Sequence, residues 1–128
     1  MVRTEDQVRN SAGTILGFVD SDEATSGTGQ ITTFNQLGFK GVNYKPDGWY
    51  LPKDKGSVAI ILEAKSEDTD LDAQKWVDEL NQNVDVTMSQ YSKVIGILYN
   101  GRTVRCFKNK TEVQAPTELQ NKQFYIDL

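Results

Sequence analysis

The run Ser57-Val58-Ala59-Ile60-Ile61-Leu62-Glu63-Ala64-Lys65 constrains this chain more than any other: it is almost continuously apolar and β-branched, then abruptly charged. An unbroken apolar run of this length reads as a central strand covered on both faces. A second such run, Val94-Ile95-Gly96-Ile97-Leu98-Tyr99, follows further on. Between them, after the polar turn Ser66–Asp70, the residues Ala73, Trp76, Val77, Leu80, Val84, Met88 and Tyr91 recur at spacings of three and four. That period predicts a long helix over about residues 71–92. A strand, a helix of this length and another buried strand make a right-handed crossover, so the two strands are expected to lie parallel in one sheet.

The flanking segments complete the expectation. Thr4-Glu5-Asp6-Gln7 fits a capping box, and Val8, Ala12, Ile15, Leu16 and Val19 fall on one helical stripe, giving an amphipathic helix over about residues 5–19. Residues 21–30 are dense in Ser, Thr and Gly without an apolar period and read as a mobile surface loop. Short strand-like pieces follow at Ile31–Phe34, Val42–Tyr44 and Gly48-Trp49-Tyr50-Leu51, the last ending at Pro52. Asn100-Gly101 signals a hairpin that turns the chain back into Thr103–Lys108. The tail from Thr111 alternates weakly, in keeping with a strand that closes an edge. There is no internal repeat, and 128 residues with 38% hydrophobic content predict one domain able to bury a core without staples.

The absence of histidine excludes Ser-His-Asp and Cys-His nucleophile systems, HExxH zinc sites and three-histidine zinc within this chain. The one cysteine, Cys106, permits no internal disulfide, and in its strand-like setting reads as a small buried apolar residue. The longest apolar run is far too short to span a bilayer, and the start MVRTEDQVRN is polar and acidic where a signal peptide is basic and then apolar. A cytoplasmic protein without membrane contact is the expectation. A net charge of −4 argues against a constitutive nucleic-acid coat, although carboxylates held ready for metal ions lower the total themselves.

Within this framework Pro46-Asp47 stands at the start of one strand and Glu63-Ala64-Lys65 closes the next. Side chains alternate along a strand, so Glu63 and Lys65 share a face while Ala64 turns into packing on the other. Alone, Asp47 reads as a turn aspartate after proline, and Glu63 with Lys65 as a surface pair. If the strand at Asp47 pairs beside Glu63, two carboxylates and an ammonium converge at the end of an apolar sheet. Such a set suits phosphodiester hydrolysis: hard oxygen ligands hold Mg²⁺, the metal polarises the phosphate and acidifies a bound water, and lysine steadies the water or the developing charge.

Lys45-Pro46-Asp47-Gly48-Trp49-Tyr50-Leu51, Ile60-Ile61-Leu62-Glu63-Ala64-Lys65-Ser66, a helix reaching Tyr91, and Ile97-Leu98-Tyr99-Asn100-Gly101-Arg102 occur in this order. The pattern resembles the PD-(D/E)xK nuclease superfamily. More narrowly, it resembles the amino-terminal nuclease domain of restriction-modification enzymes, both type I restriction subunits and fused restriction-methylation proteins, over about residues 1–108. The resemblance implies an α/β fold of mixed sheet flanked by helices with an αβββαβ core, and a Mg²⁺-dependent DNA endonuclease domain for which Mn²⁺ substitutes. It implies that residues 1–128 are the amino-terminal part of a larger protein, acting on double-stranded DNA beside methyltransferase, helicase or specificity parts. Asp47 and Glu63 become the implied metal ligands, joined by the Ala64 carbonyl, with Glu5 a further candidate on the first helix; Lys65 becomes the catalytic lysine. Repair and recombination nucleases use the same scaffold, and a non-catalytic module binding nucleic acid or protein is the competing class.

Departures from the family pattern concern the second helix: where many restriction domains carry QxxxY, the residue four before Tyr91 is Thr87, and Gln90 lies beside the tyrosine. Lys45, Ser66, Gln90 and Tyr91 are the candidates for DNA contact. Ser66 reads equally as a phosphate contact or a turn cap. Lys40, Lys45, Lys53 and Lys55 could form a phosphate-facing rim or be solvated loop lysines. Trp49, Tyr50, Trp76 and Tyr91 read as core rather than as base-stacking aromatics. Glu5 lies in the middle of an apolar stripe, where it serves either as a ligand or as a helix-dipole glutamate.

Overall fold

A computed structural model describes all 128 residues as a six-stranded mixed sheet flanked by helices, an α+β arrangement. The elements in chain order are α1 (Glu5–Leu16), β1 (Ala24–Thr28), β2 (Gly48–Pro52), β3 (Ala59–Ala64), α2 (Gln74–Met88), β4 (Val94–Tyr99), β5 (Val104–Lys108), β6 (Thr111–Val113) and α3 (Lys122–Ile126). The strands lie in sequence order across the sheet. Only β3 and β4, the two apolar runs, are parallel, and α2 connects them; every other neighbouring pair is antiparallel. No helix is long and apolar enough to cross a membrane.

Burial on both faces explains why β3 and β4 carry so few polar residues. Ala59 and Ile61 join Leu80, Val84, Val94, Leu98 and Phe107 in a core on the α2 side. Ile60, Leu62 and Ala64 join Val8, Ala12, Leu16, Ile97 and Tyr125 in a second core on the side of α1 and α3. Two glycines permit the closest approaches. A Cβ on Gly96 would stand 3.0 Å from Val84 Cγ2 and 3.2 Å from Leu80 Cδ2, so α2 seats directly on β4. A Cβ on Gly48 would come within 2.9 Å of Leu62 Cδ2.

Both long helices are shorter than their apolar periods suggest. The expected capping box forms at Thr4 and Gln7, but α1 stops at Leu16 because Gly17 adopts a left-handed cap (φ 77°) and the Phe18 amide returns to the Gly13 carbonyl. Phe18 is buried, while Ile15 and Val19 are exposed. The second helix covers 74–88: it begins after an Asp70–Asp72 turn, and beyond Met88 the chain continues into Tyr91, whose amide still reaches the Thr87 carbonyl.

Residues 21–30 are not a loop throughout. Ala24–Thr28 is an edge strand against β2, from Ala24 opposite Pro52 to Thr28 opposite Gly48. An edge strand needs only one partner and tolerates polar side chains, and here the Asp20 carboxylate accepts from the Ser26 amide at 2.7 Å. Conversely, Ile31–Phe34 and Val42–Tyr44 are not strands. Turns at Gly38 (φ 99°) and Gly41 (φ 83°) break their alternation, and the segment is tied by Phe34 N to Tyr44 O and by the burial of Phe34 against Phe39. The hairpin after Tyr99 forms with Asn100 Oδ1 accepting from the Arg102 and Thr103 amides, and β6 closes the far edge. The terminal helix α3 has no counterpart in the sequence expectation.

Candidate active site

The register of β2 on β3 creates the site. Gly48 pairs with Leu62, so continuing the antiparallel ladder one residue sets Asp47 opposite Glu63, where side chains share a face. The Asp47 carbonyl accepts from the Gly29 amide, and its Oδ2 accepts from the Ala64 amide at 2.8 Å. A carboxylate from one strand is therefore bonded to the backbone between Glu63 and Lys65 on the next. Arg9, buried on α1, holds the other oxygen: its Nε donates to Asp47 Oδ1 at 3.1 Å, while its Nη1 and Nη2 reach Asp6 at 2.6 Å and Glu5 at 3.0 Å.

Glu63 and Lys65 both point to α2, as strand alternation requires, while Ala64 packs on the α1 side. Glu63 is buried, and Asn83 Nδ2 donates to its Oε1 at 2.6 Å. Burial, the neighbouring charge of Asp47 and hydrogen bonding to Glu79 and Asp47 push the Glu63 carboxyl well above the usual carboxylate range. Lys65 donates to Glu79 Oε1 at 2.8 Å and lies 4.2 Å from the centre of the Trp76 ring. Burial works against its ammonium, but the hydrogen bond and charge of Glu79, with the charges of Glu63 and Glu5, outweigh it and raise Lys65 above its ordinary value. Glu79 is held low despite its own desolvation, because Lys65 and Glu63 both hydrogen-bond to it.

The expected triad of Asp47, Glu63 and Lys65 thus comes together. The surface-pair reading of Glu63 with Lys65 does not describe these side chains, which are buried and partnered by α2. Glu5 stands on α1 half-exposed, bonded to Arg9 and acting electrostatically on Lys65. The remaining candidates have other partners. Ser66 Oγ donates to Asp68 and contacts Thr69, capping a turn. Gln90 donates to the Gly38 carbonyl, and buried Tyr91 donates to the Pro52 carbonyl while receiving Lys55 Nζ at its hydroxyl. Lys45 is exposed. Trp49 is core, as expected, whereas Trp76 is only partly buried and has the ammoniums of both Lys65 and Lys75 against its ring.

Arg9, Glu79 and Asn83 are members that the motif did not reveal. Asn83 carried a signal, a polar residue between Leu80 and Val84 on the apolar helix face. Arg9 three and four residues after Asp6 and Glu5 has the spacing of ordinary helix-surface pairs, which conceals its burial.

The donor set fits a hard divalent cation. Two carboxylates buried side by side repel, and a cation in place of the proton on Glu63 removes that repulsion. No group of three or more acidic, cysteine or histidine side chains is gathered in a ligating arrangement. A cation here would rest on Asp47, Glu63 and water, which suits Mg²⁺, an ion usually bound through one or two carboxylates while keeping several waters. None of the surface clefts is lined by Asp47, Glu63 or Lys65; the cluster reaches solvent through Glu5, Asp6 and Glu79. Comparison with family models, curated proteins and solved structures finds no match to this chain.

Proposed function

We propose that this chain is a metal-dependent DNA endonuclease domain that hydrolyses phosphodiester bonds as part of a restriction-modification enzyme. The observation that carries the reading is the placement of Asp47 opposite Glu63, with Lys65 on the same face and all three largely removed from water. Exposed ion pairs add little and are common, whereas buried carboxylates gathered beside a lysine, with a strongly perturbed member, are the arrangement that functional sites favour.

Asp47 and Glu63 would hold Mg²⁺, with Mn²⁺ as substitute. When bound, the cation polarises the phosphate and lowers the pKa of a water. Arg9 and the Ala64 amide orient Asp47, and Asn83 orients Glu63. Lys65 supplies a fixed positive charge near the developing phosphate charge, strongest where water is excluded. Double-stranded DNA is the proposed substrate, with sequence choice and movement on DNA left to other parts of the parent enzyme. The cytoplasm, where DNA and Mg²⁺ meet, is the proposed location.

Cleavage of plasmid DNA by the chain in Mg²⁺ tests this. Glu63→Gln and Lys65→Met should lower the rate by about 10²–10⁴-fold while circular dichroism shows the native fold. Metal-independent cutting, or cutting indifferent to both substitutions, would overturn the assignment.

A further inference from the structure

Lys65 is held more tightly than an ammonium offered to a phosphate requires. Its side chain is 8% exposed, donates to Glu79 at 2.8 Å, and lies 4.2 Å from the Trp76 ring centre. Trp76 and Glu79 are three residues apart on α2, so one helix face supplies both the platform and the acceptor. Glu79 is 44% exposed, unlike the ammonium it holds. A single carboxylate open to solvent therefore holds the ammonium that β3 delivers.

We infer that Glu79 is a positioning residue for Lys65, ordering the ammonium on the Trp76 ring and screening it from anions until a DNA phosphate competes for it. The inference rests on the nuclease reading, because a phosphate must be the anion that Lys65 meets. A lysine has four rotatable bonds, and fixing its head in advance removes that ordering from the reaction step. The same carboxylate carries a negative charge where the phosphate must arrive, so it opposes ground-state binding. Loss of the Glu79 charge should therefore move binding and turnover in opposite directions. A purely structural contact has no reason to produce that split.

The test uses the full 128-residue chain with plasmid DNA and Mg²⁺, together with Trp76 emission in a Trp49→Phe background, which leaves Trp76 as the sole tryptophan. Glu79→Gln should lower kcat by about 10-fold and lower KM by roughly 2–5-fold, and Glu79→Asp should recover most of the turnover. Because Lys75 also lies 4.5 Å from the ring centre, Lys75→Met serves as the emission control. Glu79→Gln and Lys65→Met should shift Trp76 emission alike, and differently from Lys75→Met. Unchanged kcat and KM in Glu79→Gln, or a Trp76 signal that responds to Lys65→Met and not to Glu79→Gln, overturns the positioning role. If the parent chain cuts no DNA, the nuclease reading is what fails, and the emission comparison alone decides whether Glu79 holds Lys65.

Discussion

Asp47 Oδ2 accepts a hydrogen bond from the Ala64 amide at 2.8 Å, across 17 residues of sequence. Ala64 separates Glu63 from Lys65, so this bond ties the acid before β2 to the backbone that aims the other two side chains. Arg9 completes the fixation from α1, with a side chain 4% exposed.

Removing Arg9 should therefore harm stability and the site together. Arg9→Met leaves Asp47 without its ion-pair partner and is expected to cost roughly 2–4 kcal/mol in chemical denaturation. Arg9→Met combined with Asp47→Asn should cost less than the sum of the two single changes, because the buried charge is gone in the pair. Strict additivity of the two would show that the contact carries no coupling.

Glu63 gives a pH dependence with a defined sign. Its carboxyl ionises higher in the folded than in the unfolded chain, burial being the main cause. The folded state is thus relatively favoured below the unfolded value of about 4.3, and that advantage is lost as pH rises through the folded value. Glu63→Gln imitates the protonated acid, accepting from Asn83 while donating toward Asp47 or Glu79. In metal-free buffer it should raise Tm at neutral pH and leave Tm nearly unchanged at about pH 4. A Glu63→Gln variant less stable than the parent at neutral pH would contradict the assigned protonation.

A divalent cation should supply what the proton supplies in its absence. At a free Mg²⁺ or Mn²⁺ concentration about a hundred times the dissociation constant, linkage predicts about 2.7 kcal/mol of stabilisation and a Tm rise on the order of 10 °C. The gain should shrink toward acid pH, where protons compete for Glu63, and disappear in Asp47→Asn. Calorimetric melts with and without the cation measure both.

Cys106 offers an independent check on the sheet. It is wholly buried opposite Ile97, and burial pushes its thiol up to about 11. Its contribution to stability is present below the ordinary value near 9 and is lost as pH rises through about 11. A thiol reagent should label the native chain only as fast as the sheet opens, and Cys106→Ala should flatten the alkaline part of the stability profile relative to the parent.

Local signals were sufficient wherever one element's own chemistry decided its fate. The apolar runs at Val58–Leu62 and Val94–Tyr99 had to be buried on both faces, the capping box at Thr4 started α1, and strand alternation placed Glu63 and Lys65 together away from Ala64. Signals that depend on a partner were misleading. Ala24–Thr28 has a loop's composition and becomes a strand because β2 offers it an edge, while Ile31–Phe34 has a strand's composition but runs from an exposed Ile31 to a buried Phe34 and on into turns at Gly38 and Gly41.

The site divides in the same way. The sequence by itself placed Glu63 and Lys65 on one face at the end of an apolar strand, where charge must find partners, and left Asp47 to the pairing of its strand. Only the tertiary structure decided what those partners are. Arg9 reaches Asp47 across 38 residues and Asn83 reaches Glu63 across 20, through the docking of α1 and α2 on opposite faces of the sheet. Hydrogen bonds and charge act over a few ångströms of space, whatever the separation along the chain, so only the packed layers could show that the strand-end acids are held from both sides.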